Sequence, residues 1–107
     1  MEKRQHPRAS KIFLAKVKSF SGEFLAYILD LATNGVGFTT NCRLSVGDVI
    51  EIAMNVPNQP TFIIRTKIVW HRELPEFAKG KYLYGAILVD FPEEYERLVD
   101  SLIPLDC

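Results

Sequence analysis

One stretch constrains this chain more than any other. Residues 61–71, TFIIRTKIVWH, put Phe62, Ile64, Thr66, Ile68 and Trp70 on one face and Ile63, Arg65, Lys67 and Val69 on the other. A period of two belongs to β-strand, where successive side chains point to opposite faces. An amphipathic helix would instead repeat its apolar positions every three or four residues. The alternation therefore predicts a strand that ends in Trp70 near a barrel mouth, with Trp70 expected in the core, the alternative being an exposed edge that faces a partner.

The same rhythm recurs along the chain. Residues 11–19 (KIFLAKVKS), 22–32 (GEFLAYILDLA), 35–40 (GVGFTT), 49–56 (VIEIAMNV) and 81–91 (KYLYGAILVDF) all read as strands. Turn formers separate them: Ser45-Val46-Gly47-Asp48, the breaker-rich VPNQP (56–60) and RELPEFAKG (72–80). Six strands with turn signals at this spacing predict an all-β fold, an antiparallel sandwich or barrel. A closed barrel also removes the exposed edges that make small β proteins associate.

The period changes near the end. Pro92 suits a first helical turn, and Glu93 and Glu94 suit the positive end of the helix dipole. Tyr95, Leu98, Val99, Leu102 and Ile103 then form one apolar stripe at helical spacing, and Pro104 closes it. This predicts a C-terminal α-helix over about residues 92–103 that docks on the barrel or covers one of its mouths. At 107 residues the chain has the usual size of one domain. Residues 1–10 read as a flexible arm and 11–107 as the folded body.

Charge and cysteine content narrow the function. Thirteen Lys and Arg balance thirteen Asp and Glu. Zero net charge argues against non-specific nucleic-acid binding, which runs on phosphate neutralisation. Cys42 and Cys107 make no disulfide framework, no apolar run reaches membrane-spanning length, and the start carries no apolar signal segment. These features lead us to expect a cytoplasmic protein without membrane or nucleic-acid partners. His6, His71 and the two cysteines show no zinc-ligand spacing, and neither a nucleophile signature nor a Gly-rich phosphate loop is visible. An enzyme is not expected, and neither a metal nor a cofactor.

Two groups of residues call for another explanation. The chain opens MEKRQHPRAS, with Arg4 and Arg8 flanking Gln5-His6-Pro7. Pro7 cannot continue a helix, so the arginines stand in extended chain or a turn. Arginine presents a planar fork of donors that matches phosphate and the O6/N7 edge of guanine. The second group is Asp30-Leu31-Ala32-Thr33-Asn34-Gly35. Asn34-Gly35 is the dipeptide of a type I′ hairpin turn, in which both residues take φ > 0. Asp30, on the strand just before it, could accept from guanine N1–H and N2–H2. Gly35 would let a ligand approach the backbone.

Together these residues resemble the PilZ domain family, whose marks are RxxxR near the N-terminus and [Asp/Asn]-x-Ser-x-x-Gly at a strand–turn–strand junction. The likeness runs from about Lys3 to Ile103. It takes in NGVGF (34–38), the Leu44–Asp48 turn, IVW (68–70), Tyr84-Gly85 and the closing helix. The resemblance implies a six-stranded antiparallel β-barrel with a C-terminal α-helix. It also implies a receptor for the bacterial second messenger cyclic di-GMP. By position, Arg4 and Arg8 would grip guanine and phosphate, Asp30 would bind guanine, and Asn34 and Gly35 would supply the turn. Lys3 could add a phosphate contact. Ala32 departs from the pattern, standing where the family has Ser, and so removes one ligand hydrogen bond.

The expected action is that ligand orders the arm and an unidentified protein partner reads the new surface, the receptor being a monomer or weak dimer. The alternative suggested by Ala32 is a protein-interaction adaptor that keeps the fold without the ligand.

Overall fold

The computed structural model describes the backbone of residues 8–55, 60–75 and 80–102, and the side chains of all of these except 8–13 and 102. Six strands and one helix follow one another: β1 (Arg8–Ser19), β2 (Gly22–Ala32), β3 (Gly35–Thr40), β4 (Val49–Met54), β5 (Phe62–Glu73), β6 (Tyr82–Asp90) and α1 (Glu93–Leu102). The strands close into an antiparallel barrel in the order β1-β2-β3-β6-β5-β4. The seam between β1 and β4 runs from Lys16 opposite Ala53 to Lys18 opposite Glu51.

Alternation builds the interior. Val17, Ile28, Phe38, Ile52, Ile64 and Ile68 are fully buried inside the barrel. Each such side chain contributes roughly 1.5–3 kcal/mol over an exposed position. The link from β3 to β4 is pinned from within. The Tyr84 hydroxyl accepts from the Leu44 amide at 2.6 Å and donates to the Cys42 carbonyl at 3.0 Å. Thr39 and Thr66 are exceptions to the apolar rule, each buried with a hydroxyl that has no hydrogen-bond partner among the described residues.

The helix begins with Glu93, Glu94 and Glu96 in its first turn, where the dipole favours negative charge. It packs on β1 and β5, and its Tyr95, Leu98 and Val99 join the barrel core. The Tyr95 hydroxyl also reaches the β2–β3 turn. Contacts on both sides of the opening mean that α1 lies across one mouth of the barrel. No helix among the described residues is long and apolar enough to cross a membrane.

Two expectations about single elements need correction. β1 starts at Arg8, not at Lys11, because Arg8, Ala9 and Ser10 pair with Ala32, Leu31 and Asp30 of β2. This is a long-range pairing that leaves no trace in the local apolar pattern. Residues 1–7 of the expected arm lie outside the described residues. Trp70, expected in the core, is 48% exposed. Ile68 lies opposite Ala86 and Trp70 opposite Gly85, so Val69 is one residue too many in β5. A bulge of one residue turns every side chain after it to the other face.

Candidate functional site

A second bulge does the same on the far side of the same surface. In β2, Ile28 lies opposite Phe38 and Asp30 opposite Gly37, so Leu29 is the extra residue. Strict alternation would send Asp30 inward after the buried Ile28. The bulge sends it outward, and Leu31 returns to the core. The Asp30 carboxylate thus stands on the outer wall of the barrel.

The register then lines up a lane of cross-strand neighbours: Ser10, Asp30, Gly37, Gly85 and Trp70, one from each of β1, β2, β3, β6 and β5. At about 4.8 Å per strand, Asp30 and Trp70 are roughly 14 Å apart along the sheet. The two central positions carry no side chain, and the flanking groups lean in over them. A β-carbon built on Gly37 would stand 2.9 Å from Asp30 Oδ1. One built on Gly85 would collide with the indole nitrogen of Trp70. The result is a shallow groove of about 300 Å³, lined by Asp30, Asn34, Gly35, Gly37, Trp70 and Ile87 among others.

A second lane runs beside the first: Arg8, Ala32, Gly35, Ile87 and Lys67. Gly35 is needed here for space. A β-carbon on it would meet the Ala86 carbonyl oxygen at 2.7 Å. The expected type I′ turn with φ > 0 at Gly35 is not what forms. Thr33 and Asn34 are the two turn residues, Gly35 opens β3 opposite Ala32, and its φ is not positive. The close approach of β6, and not the turn, is what requires glycine at 35. The Asn34 carbonyl accepts from the Leu88 amide at 3.0 Å, which ties the turn to β6.

The structure therefore brings together Asp30, Ala32, Asn34 and Gly35, and sets the Arg8 backbone beside Ala32. Ala32 lies on the outward side of β2 with Asp30, yet is only 2% exposed. Lys3 and Arg4 lie outside the described residues. Sequence reasoning missed Trp70, Gly37 and Gly85 as site residues. The glycines were readable as GVG and YG inside strands, where a missing side chain signals a bulge or a close approach. The position of Trp70 was not, because it depends on the bulge.

The arrangement offers an acid, an aromatic face and an open stretch of backbone between them. That combination suits a flat ring bearing hydrogen-bond donors on one edge, held between carboxylate and indole.

Comparison with known proteins agrees with this architecture. The PilZ domain family model matches residues 2–103. The Bacillus subtilis inhibitor of motility MotI/DgrA superposes with a TM-score of 0.72 at 11% identity, over 95% of this chain and 50% of that one. The chain thus spans half the length of that relative. The PilZ domain of YcgR from Escherichia coli, solved with c-di-GMP, superposes with a TM-score of 0.66 at 15% identity, over 94% of this chain and 92% of that one. A search of curated proteins returns no match.

Proposed function

The chain belongs to the PilZ domain family, and from that premise we propose that it is a receptor for cyclic di-GMP. The observation that carries the reading is the lane from Asp30 to Trp70 across two glycines. A guanine lying over Gly37 offers N1–H and N2–H2 to the Asp30 carboxylate, a charge-assisted pair of hydrogen bonds. Its face meets the Trp70 indole, and base–aromatic stacking contributes about 1–3 kcal/mol. The likeness to a PilZ domain solved with c-di-GMP supports the choice of ligand.

The cations come from the N-terminal side. Arg8 enters the sheet opposite Ala32, next to the acid lane, and Arg4 and Lys3 stand four and five residues before it in the sequence. Arg4 and Arg8 hold guanine and phosphate, and Lys3 adds a phosphate contact. Ligand orders the residues before Arg8, and the surface so formed is read by a protein partner. Ordering costs about 1–2 kcal/mol per residue, which the ligand contacts must exceed.

A thermal-shift titration tests the reading. Saturating cyclic di-GMP should raise the unfolding midpoint, since a ligand at 100 times its Kd adds about 2.7 kcal/mol to stability. GMP at the same concentration should raise it far less. An unmoved midpoint overturns the receptor reading. It would favour a ligand-free interaction adaptor, for which Ala32, buried and without a hydroxyl, is the supporting observation.

A further inference from the structure

The β2–β3 turn is gripped from outside the site. The Tyr95 hydroxyl, on α1, lies 2.7 Å from the Ala32 carbonyl and 3.2 Å from the Gly35 carbonyl. These are the two residues that flank Thr33-Asn34 and face each other across the turn. One proton shared between both carbonyls fixes the width of the turn at its base. Tyr95 is fully buried, and its ring meets Phe91 edge-on at 5.7 Å, so the hydroxyl cannot wander. Burial, with the negative charge of Asp30 adding to it, pushes the hydroxyl's pKa far above its usual value. The phenol is thus a permanent neutral donor, and Asp30 lies within its electrostatic reach.

We propose that Tyr95 is a positioning residue for the ligand site: its hydroxyl, delivered by the C-terminal helix, holds the Ala32–Gly35 turn at the spacing that sets Asp30 over Gly37. This deepens the receptor reading and rests on it for the ligand. It also makes the coupling reciprocal at that one hydrogen bond: the bond favours the binding-competent turn, and ligand on the turn favours the bond.

Tyr95→Phe is the direct test, since it keeps the ring and its packing and removes only the donor. Val99→Ala is the control, a fully buried cut in the same helix that makes no hydrogen bond to the turn. Two readouts are taken on the full chain: amide hydrogen exchange at residues 33–37 without ligand, and calorimetric Kd for cyclic di-GMP. Tyr95→Phe should speed exchange at the turn by about tenfold and raise Kd about three- to tenfold. Val99→Ala should leave Kd within about twofold whatever it does to overall stability. Unchanged exchange at the turn in Tyr95→Phe, or an equal loss of affinity in both variants, overturns the proposal. Should the wild type ignore cyclic di-GMP, the receptor reading falls, and the exchange result alone then decides whether the hydroxyl holds the turn.

Discussion

Asp30 and Trp70 stand in one cross-strand lane of the barrel, each turned outward by a single extra residue in its strand, Leu29 in β2 and Val69 in β5. Neither would face solvent in an unbulged strand, because Ile28 and Ile68, two residues before them, are fully buried. The two bulges bracket Gly37 and Gly85, and the four residues together make the groove.

The glycines of β3 should respond to alanine in opposite ways. At Gly35 the added carbon meets the backbone oxygen of Ala86 at 2.7 Å, and backbone yields only if β3 and β6 part. Gly35→Ala should lose about 1–3 kcal/mol of stability. At Gly37 the obstacle is the Asp30 side chain, which can swing aside. Gly37→Ala should keep stability within about 0.5 kcal/mol while weakening cyclic di-GMP binding by about tenfold or more. Denaturant midpoints and ligand titration on both variants check this. A stable Gly35→Ala, or a Gly37→Ala with wild-type affinity, contradicts it.

Trp70 is the chain's one tryptophan, so its fluorescence reports on the lane without labelling. Gly85→Ala should push the indole off the sheet and shift its emission to longer wavelength. In the wild type, bound guanine should quench the same emission. Identical spectra for wild type and Gly85→Ala would mean that the indole does not rest on that glycine.

Alkaline pH should destabilise the fold. Burial raises the pKa of both Tyr84 and Tyr95 above the ordinary value of 10.0. Above that pH the unfolded tyrosines lose their protons while the folded ones keep theirs. The unfolded state then binds fewer protons, and stability falls as pH rises, by up to about 1.4 kcal/mol per pH unit for each tyrosine. Below pH 10 the contribution is fully present. Urea unfolding at successive pH values should show the decline, and Tyr95→Phe should make it shallower. An equally steep decline in Tyr95→Phe would contradict this origin.

Ala32→Ser should tighten cyclic di-GMP binding by a few-fold to about tenfold, the worth of one net hydrogen bond. The position shares the outward side of β2 with Asp30 and lies opposite Arg8. A flat or weaker affinity by calorimetry would mean that a hydroxyl there does not reach the ligand.

Much of the barrel was legible because alternation along a strand is a local pattern. Residues 22–32 and 35–40 fall where the pattern put them, and the helical stripe puts Tyr95, Leu98 and Val99 in the core. Most of the failures come from how strands pair, which the local pattern does not carry. Arg8 joins β1 only because Ala32 waits opposite it. Trp70 faces outward only because β6 fixes a bulge at Val69. Gly35 is glycine for the sake of Ala86, fifty-one residues on, although its neighbour Asn34 made it look like turn chemistry. Tyr95 read simply as one more apolar helix position, and nothing in its spacing announced a hydroxyl aimed at the turn.

The central claim is that a guanine dinucleotide binds against Asp30. Isothermal titration calorimetry of the wild type, Asp30→Ala and Arg8→Ala with cyclic di-GMP tests it most directly. The account predicts saturable heat for the wild type and at least about tenfold weaker binding in each variant. Wild-type affinity in both variants, or no heat from the wild type at high ligand concentration, would contradict it.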